Sequence, residues 1–311
     1  MTETGSLLLT GASGLLGSNF ALAAAARGLD VTAVYHRNPV RFPGIRGLRL
    51  DLTDERGVTE AVASTRPDWI VHCAAETRVD WCEDHPEDCS RVNEGATGTL
   101  ARAASEIGAS LLYVSTDSVY PGDRGNYTED DRTGPVNHYG RTKLRGEGAV
   151  RATPGDHLII RTNIFGWNLQ EKQSLAEWFL AHLEGGRTVP GFRDVIFTPV
   201  LVNELAEICL ALMAAGATGT YNCGSPEPCS KYEFGVSVAR TFGLDPGLVR
   251  PIRQEELGLR APRPLDTSLN SRKMHHLLKR PVPGLPDQLI RFRLLRESGY
   301  AARLRSFSGG L

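Results

Sequence analysis

A glycine-rich segment near the amino terminus constrains the fold of this chain more than any other feature. It reads Thr10-Gly-Ala-Ser-Gly-Leu-Leu-Gly17 and lies between an apolar run and a helical pattern. Gly11 permits a tight turn, Gly14 lets the backbone approach a pyrophosphate, and Gly17 allows close helix packing, while the helix start faces the anion. We therefore predict a dinucleotide site whose first contacts come from Gly11, Ser13, Gly14, Leu15, Leu16 and Gly17.

Short apolar runs alternate with longer helical patterns along the first half of the chain. Strands with few polar interruptions, each followed by a helix, indicate a parallel sheet covered on both faces. We predict a doubly wound, Rossmann-type α/β fold. The predicted strands are Leu7–Thr10, Val31–Tyr35, Leu48–Leu50, Trp69–Cys73, Leu111–Ser115 and Leu158–Arg161. The predicted helices are Leu15–Arg27, Glu55–Thr65, Arg91–Ile107, Tyr139–Arg151, Ser174–Glu184, Asn203–Ala214, Tyr232–Phe242 and Leu285–Glu297.

The alternating pattern loosens after about Arg161, where proline and glycine clusters separate the helical segments. This change indicates a smaller, partly helical substrate lobe, joined to the first domain without a flexible linker. We assign residues 1–162 to the dinucleotide-binding domain, and residues 163–194 and 223–311 to the substrate lobe. The chain is expected to return to the first domain at about 195–222.

Charge and composition exclude several classes of protein. Lysine and arginine number 35 against 36 aspartate and glutamate, so the net charge of -1 provides no field that attracts a nucleic acid. No apolar run approaches the roughly 18 residues of a membrane helix, and the amino terminus lacks the basic start of a signal peptide. The six cysteines include no C-x-x-C pair. We expect a cytoplasmic protein with reduced thiols and no metal site.

The end of the second predicted strand bears on the choice of cofactor. NAD-specific domains commonly place an acidic residue about 20 residues after the glycine fingerprint, where it holds the ribose hydroxyls. Here the segment reads Tyr35-His-Arg-Asn38, with no acid and with Arg37 available to a 2'-phosphate. The sequence therefore favours NADP(H), with NAD(H) as the alternative.

A tyrosine and a lysine form the next motif, Tyr139-Gly-Arg-Thr-Lys143. At this spacing the two side chains share one helix face, so the ammonium can lower the phenol's pKa and hold a cofactor ribose. A tyrosine so placed can give or take a proton at a substrate oxygen. Thr116 follows the carboxyl end of the predicted strand Leu111–Ser115, where open α/β sheets place ligands, and its hydroxyl can bind a substrate carbonyl.

In combination, these motifs resemble the extended short-chain dehydrogenase/reductase superfamily, and more closely the dTDP-4-dehydrorhamnose reductase family. The resemblance spans nearly the whole chain, and the ordered set is far more specific than any single motif. Besides the segments above, it rests on Asp51-Leu52, Cys73-Ala74-Ala75, Val79-Asp80, Val92-Asn93, Ser115-Thr116-Asp117, Tyr127-Thr-Glu-Asp-Asp131, Arg161-Thr162, Ser230-Lys-Tyr-Glu-Phe234 and Arg263-Pro264.

The resemblance implies hydride transfer from a nicotinamide to the C4 ketone of a nucleotide-linked 6-deoxysugar. Thr116, Tyr139 and Lys143 would be the catalytic residues, with Tyr139 as the proton donor. Asp51 and Leu52 would flank the adenine, and Cys73, Ala74 and Ala75 would line the cofactor path. Contacts with the substrate are expected from Asp80, Asn93, Ser118, Asn163, Trp167 and Arg263, of which Arg263 is the candidate for the diphosphate.

Two departures from the family pattern leave the substrate open. Ser118 stands where the family commonly has an aromatic residue, and Ile164 stands where it commonly has tryptophan. Asn163 and Trp167 are expected to make substitute contacts. Ser118 also replaces the glutamate that sugar-nucleotide 4,6-dehydratases use as an extra acid or base, which disfavours dehydration.

Two alternatives remain open at this stage. A 4-epimerase of the same superfamily uses much the same catalytic residues. The chain is also similar to the regulatory β subunit of methionine adenosyltransferase, an NADP-binding partner protein with an aliphatic residue at the position of Ile164. The sequence leaves the oligomeric state open, and a homodimer is compatible with each of these functions.

Overall fold

In the computed structural model, which describes residues 5–309, seven strands form one central sheet in the order β11-β6-β5-β4-β1-β2-β3. Every pairing within this sheet is parallel. Over the described residues, the strands are β1 Ser6–Thr10, β2 Asp30–Tyr35, β3 Arg46–Arg49, β4 Trp69–His72, β5 Ser110–Thr116, β6 His157–Thr162, β7 Ile164–Phe165, β8 Val189–Phe192, β9 Ile196–Phe197, β10 Val200–Leu201, β11 Gly219–Cys223, β12 Cys229–Ser230 and β13 Val249–Ile252.

Helices cover both faces of the sheet. Within the same part of the chain, the α-helices are α1 Leu15–Ala26, α2 Glu55–Thr65, α3 Val79–Asp84, α4 Pro86–Ser90, α5 Ala96–Ile107, α6 His138–Ala152, α7 Leu175–Glu184, α8 Val202–Ala214, α9 Lys231–Thr241, α10 Arg272–Leu278, α11 Leu285–Glu297 and α12 Tyr300–Ser306. A π-helical turn, Arg91–Gly95, leads into α5, and 3-10 turns lie at Asp117–Val119, Pro246–Leu248 and Gln254–Leu257.

The two-residue period of the strands divides the core between the two faces of the sheet. Leu7 and Leu9 of β1 face the cluster that contains Phe20 of α1 and Leu205 of α8. Leu8 faces the opposite cluster, to which α2, α5 and α6 contribute apolar side chains. Because both faces are covered, the central strands β1, β4 and β5 carry apolar side chains on both faces, as the sequence indicated, whereas the edge strand β3 does not.

The predicted fold class is confirmed, and the predicted strands and helices all occur with small shifts at their ends. The main omission is β11, which extends the sheet beside β6. Its sequence, Gly219-Thr-Tyr-Asn-Cys223, begins with glycine and contains an asparagine, so it lacks the pattern of a buried strand. Asn222 is nevertheless fully buried, because its side-chain amide donates to Tyr127 O at 2.7 Å.

The later part of the chain both leaves and rejoins the sheet. After β6, β7 pairs with β10, β8 with β13 and β9 with β12, all outside the seven-stranded sheet. The chain returns with α8, which packs against α1, and with β11. Helix α8 begins at Val202, within the segment at about 195–222 where the return was expected. None of the helices in residues 5–309 combines the length and apolar character needed to cross a bilayer.

Candidate active site

A cleft of about 1070 Å³ opens at the carboxyl ends of the central strands. The chain passes from β1 to β2 on one side, whereas β4 pairs with β1 on the other, so the strand order reverses between β1 and β4. Open α/β sheets bind ligands at such a point. The cleft is lined by the segments that follow β1, β2, β4 and β5, by Tyr139 and Lys143 of α6, and by residues 162–164 and 168–175.

The glycine-rich turn forms one wall of this cleft. Gly11 has a φ of +70°, and a Cβ at this position would lie 2.7 Å from the Ala74 backbone nitrogen at the end of β4. A Cβ at Gly17 would lie 2.1 Å from the Gly11 oxygen. Both positions therefore require glycine. Helix α1 begins here without a side-chain cap and without an acidic residue in its first turn, an arrangement suited to a phosphate anion.

The opposite end of the cleft is polar and carries the residues expected at the adenosine. Asp51 follows β3, and one of its carboxylate oxygens accepts hydrogen bonds from the Thr53 backbone and hydroxyl at 2.9 and 2.8 Å. The backbone hydrogen bond of Thr53, supported by the charges of His36 and Arg37, lowers the pKa of Asp51. Arg37 is exposed and, like Leu52, lines the cleft.

The three predicted catalytic residues all line the same cleft. Thr116 ends β5, and Tyr139 and Lys143 share one face of α6. Asn137 caps this helix by accepting a hydrogen bond from Gly140 N at 2.9 Å, and a Cβ at Gly140 would lie 2.3 Å from the Ser118 oxygen. The helix start is thereby held against the segment that follows Thr116.

The pKa of the Tyr139 phenol is raised, whereas the sequence led us to expect that Lys143 lowers it. Burial raises the pKa of Tyr139, and a hydrogen bond with Thr116 only partly opposes this effect. The Lys143 ammonium instead donates to Val114 O at 2.8 Å and lies 4.1 Å from the centre of the Tyr113 ring. Burial lowers the pKa of Lys143 to about 7, although the charge of Glu147 acts in the opposite direction. Because burial raises the pKa of Tyr139, its phenol is protonated at neutral pH.

The lowered pKa of Lys143 predicts a pH-dependent stability. Its pKa is about 7 in the folded protein against an ordinary value of 10.5, so between these values the unfolded chain binds a proton that the folded chain does not. Stability of the cofactor-free protein should therefore rise with pH across this window. Lys143→Met should be more stable than the wild type at pH 6, and the difference should shrink toward pH 10 in urea unfolding. The same change at exposed Lys273 should preserve the wild-type slope; an unchanged slope in Lys143→Met would contradict the prediction.

Glu147 is a residue of this site that sequence reasoning did not identify. It lies one turn after Lys143, is fully buried, and accepts hydrogen bonds from Arg161 Nε and Nη2 at 2.9 and 2.7 Å and from Ser115 Oγ at 2.6 Å. Burial alone would raise its pKa, but the hydrogen bonds and charge of Arg161 outweigh burial and hold the pKa below its usual value. The i, i+4 spacing from Lys143 was the available signal.

Asp117 organises the part of the cleft where a substrate would meet the catalytic residues. It is 2% exposed and accepts four hydrogen bonds over 2.8 to 3.2 Å, from Thr116 Oγ1, Ser118 Oγ, Asn163 Nδ2 and Thr267 Oγ1. Ser118 and Asn163 also line the cleft, as predicted for substrate contacts. The carboxylate therefore connects Thr116 to residues from two other parts of the chain.

Two of the other predicted substrate residues bind each other instead. Arg263 Nη2 lies 2.7 Å from the Asp80 carboxylate, whose other oxygen accepts a hydrogen bond from Ala261 N at 2.9 Å. Neither side chain is part of the cleft lining. The Arg263 guanidinium, which was expected to bind a diphosphate, is paired with the Asp80 carboxylate in this structure.

Asn93 and Trp167 have structural roles and do not reach the cleft. The Asn93 side chain is buried and is occupied by hydrogen bonds to both the backbone nitrogen and oxygen of Glu76, at 2.8 and 3.0 Å. Trp167 is 4% exposed, stacks on Phe292 at 4.1 Å between ring centres, and donates its indole N–H to the Phe292 oxygen. The geometry therefore gives no support to the predicted contacts of these two residues with the substrate.

The structure adds charged residues to the cleft wall. Glu76, Arg78 and Trp81, from the segment after β4, line it, and Arg78 pairs with Glu76 while lying 4.8 Å from the Trp81 ring centre. Lys172 approaches from the segment after β7 and donates to Thr77 Oγ1 at 2.8 Å. Glu76, Arg78 and Lys172 lie in loops and Trp81 lies in the short helix α3, and none of them belongs to a motif, so the sequence carried no signal for them. Within residues 5–309, no cluster of His, Cys, Asp or Glu side chains is arranged to hold a metal ion.

Fold and site together define a class of protein. A parallel sheet with a glycine turn at its switch point, and a threonine, a tyrosine and a lysine at the same cleft, are the parts of a nicotinamide-dependent oxidoreductase that acts on an alcohol or ketone group. A family model described as the RmlD substrate binding domain matches residues 5–291, and the chain belongs to this family.

Relatives of known assignment fall into two groups. The chain is 33% identical to a "Probable low-salt glycan biosynthesis reductase Agl14" of Haloferax volcanii, over 90% of this chain and 95% of that protein. It is 32% identical to the dTDP-4-dehydrorhamnose reductase of Mycolicibacterium smegmatis, over 86% and 78%. It is also 30% identical to the methionine adenosyltransferase 2 subunit beta of Mus musculus, over 87% and 82%.

A solved structure shares the same overall architecture. The dTDP-4-dehydrorhamnose reductase of Bacillus anthracis in complex with NADP superposes with a TM-score of 0.84 at 26% identity, over 94% of this chain and 99% of that one. The similarity therefore extends across both the sheet and the later, partly helical segments.

Proposed function

We propose that this protein is an NADP(H)-dependent reductase of the C4 ketone of a nucleotide-linked 6-deoxysugar. The observation that carries the proposal is the convergence of Thr116, Tyr139 and Lys143 on one cleft beside the glycine turn. The cofactor assignment is supported by the NADP complex of the Bacillus anthracis relative, and the substrate class by the name of the Mycolicibacterium smegmatis relative; the name of the Haloferax volcanii relative supports only a reductase.

The residues present fit a dinucleotide. The uncapped start of α1 suits the pyrophosphate. Asp51 and Leu52 would flank the adenine and Arg37 would meet the 2'-phosphate, since all three line the same cleft. Cys73, Ala74 and Ala75 line the path between the two ends. When bound, NADPH supplies the hydride that reduces the carbonyl carbon.

The protein's own groups manage the charge that develops on the carbonyl oxygen. The Tyr139 phenol, which burial keeps protonated, donates its proton to the forming alkoxide. Thr116 holds the oxygen by a hydrogen bond, for which its hydroxyl turns from the Asp117 carboxylate, to which it donates at 3.0 Å. Lys143 holds a ribose hydroxyl of the cofactor. Ser118 and Asn163, which also donate to Asp117 and line the cleft, are assigned to the sugar.

Absorbance at the nicotinamide band tests the proposal. Purified protein and NADPH are mixed with a panel of nucleotide-linked 4-keto-6-deoxyhexoses, and the panel is repeated with NADH. Oxidation of NADPH with one member establishes the reductase and identifies its substrate. Tight NADPH binding without oxidation by any member would overturn the proposal; conversion of a nucleotide sugar without net NADPH loss would indicate an epimerase.

A regulatory role is the second candidate, favoured by the 30% identity to the methionine adenosyltransferase subunit. It requires a tight complex with a synthetase and does not require turnover. Co-purification with such a synthetase, together with unchanged regulation when Tyr139 is replaced by Phe, would favour this role. NADPH oxidation by the isolated chain would favour the reductase.

The choice of cofactor rests on Arg37. Removing a charge-assisted hydrogen bond to a phosphate costs about 1.5 to 3 kcal/mol, or roughly 10- to 150-fold in affinity. Arg37→Ala should therefore weaken NADPH binding by at least about tenfold and leave NADH binding nearly unchanged, as measured by fluorescence titration. Arg41, which is exposed and outside the cleft lining, provides the matched control, Arg41→Ala. Equal losses for NADPH and NADH would contradict a role at the 2'-phosphate.

A further inference from the structure

Two cysteine side chains lie in contact behind the active-site cleft. Cys82 belongs to α3 and Cys89 to α4, and their sulfur atoms are 2.6 Å apart. Both are fully buried and both are free thiols. The cofactor site and the catalytic residues described above do not use either of them. The sequence did not indicate the pair, because its C-x6-C spacing matches no common motif.

The two thiols are chemically unequal. The Cys82 and Cys89 sulfurs share a hydrogen bond, and Cys89 also receives a hydrogen bond from Asn93 Nδ2 at 3.4 Å and lies 3.5 Å from Thr142 Oγ1. Its hydrogen bonds with Cys82, Thr142 and Asn93 lower the pKa of Cys89, whereas the contact with Cys89 and burial raise the pKa of Cys82. The thiolate is the nucleophilic form of cysteine. Cys89 is therefore suited to attack an oxidant, and Cys82 is suited to attack the oxidised sulfur of Cys89 afterwards.

The pair connects the wall of the cleft to the catalytic helix. Trp81, next to Cys82, and Glu76 both line the cleft. Asn93, which contacts Cys89, holds the Glu76 backbone. On the other side, the Thr142 hydroxyl donates to the Tyr139 backbone oxygen at 2.8 Å. A change at the sulfurs is therefore transmitted to neighbours that touch the active site.

We propose that Cys82 and Cys89 form a modification site for hydroperoxides, at which the dithiol converts reversibly to a disulfide. The Cys89 thiolate attacks one peroxide oxygen and breaks the O–O bond, giving a sulfenic acid and, after protonation, water. The Cys82 sulfur then attacks the sulfenic sulfur, which forms the S–S bond and releases a second water. Two thiols and one hydrogen peroxide thus give one disulfide and two waters.

Mass spectrometry of the whole protein tests this site directly. Reduced protein is treated with a few equivalents of hydrogen peroxide, denatured in an alkylating reagent and digested with trypsin. Both cysteines fall in one tryptic peptide, residues 79–91, since Arg78 and Arg91 bound a stretch without other Lys or Arg. We expect this peptide to lose two hydrogens and escape alkylation, and dithiothreitol to reverse the change. This measurement on the wild type does not depend on the folding of any variant.

Cys229 provides an internal control for accessibility. It is more exposed than the pair, but burial raises its pKa to about 12. Disulfide formation in the 79–91 peptide should therefore precede any oxidation of Cys229, and in Cys82→Ser a sulfenic acid at Cys89 should react with dimedone. Oxidation of Cys229 first, sulfonate formation without a disulfide, or a disulfide to any other cysteine would overturn the proposal. None of these outcomes depends on the reductase assignment.

Discussion

Replacement of Tyr139 by Phe is expected to lower kcat by about 1000-fold, the usual contribution of a positioned proton donor. Tyr139 lines the cleft, and burial keeps its phenol protonated at neutral pH, so the variant lacks only the proton that the alkoxide requires. NADPH binding, measured by fluorescence titration, should remain largely intact, because the glycine turn, Arg37 and Lys143 are unchanged. Steady-state absorbance with the identified sugar nucleotide gives kcat and KM separately.

Tyr221→Phe is the matched control for this substitution. Tyr221 lies on the edge strand β11 and is 7% exposed, and it does not line the cleft. The same oxygen is removed there without an expected effect on turnover. Retained turnover in Tyr139→Phe would refute the proton-donor role, whereas loss of NADPH binding in parallel with turnover would mean that the phenol positions the cofactor instead.

Replacement of Glu147 by Ala is expected to destabilise the fold by about 3 to 5 kcal/mol, the cost of leaving a buried charge unpaired. The Glu147 carboxylate is fully buried, and the side chain of its partner Arg161 is only 4% exposed. Without the carboxylate, the guanidinium remains inside the protein with Tyr120 Oη, at 2.7 Å, as its main remaining partner. Urea unfolding at neutral pH measures the loss.

An exposed ion pair of the same chain provides a control that distinguishes the effect of burial from the effect of losing an ion pair. Arg56 and Glu60 form an i, i+4 pair whose side chains are 88% and 64% exposed, so Glu60→Ala should cost about 0.5 kcal/mol or less. The double variant Glu147→Met with Arg161→Met should recover much of the stability lost in Glu147→Ala, because no buried unpaired guanidinium remains; Arg151, the other partner of Glu147, is 40% exposed. Equal losses for Glu60→Ala and Glu147→Ala would contradict the argument.

Features that depend on near neighbours in the chain were readable from the sequence. The glycine turn, the i, i+4 spacing of Tyr139 and Lys143 and the position of Thr116 at a strand end each follow from local geometry. Because parallel strands bring their carboxyl ends to one edge, these separate motifs were expected to converge, and all of them line one cleft. The apolar pattern of the strands likewise determined the doubly wound fold.

Features that depend on long-range partners were decided only by the tertiary structure. Asp80 meets Arg263 from the other end of the chain, Asn93 turns to the Glu76 backbone, and Trp167 stacks on Phe292. A motif predicts which part of the fold a side chain lies in, but it does not predict the hydrogen-bond or stacking partner of that side chain. A buried polar group binds whichever donor or acceptor the fold brings to it.

The same distinction applies to the chemistry of the site. From the sequence alone, the spacing of Tyr139 and Lys143 and the presence of Arg37 determined which groups the cleft would contain. The tertiary structure decided their protonation, because burial of Lys143 and Tyr139 shifts both pKa values toward the neutral forms, and desolvation depends on what covers a residue rather than on what adjoins it in the chain. It also decided that Cys82 and Cys89 touch, because their contact requires the fold of two short helices around His85.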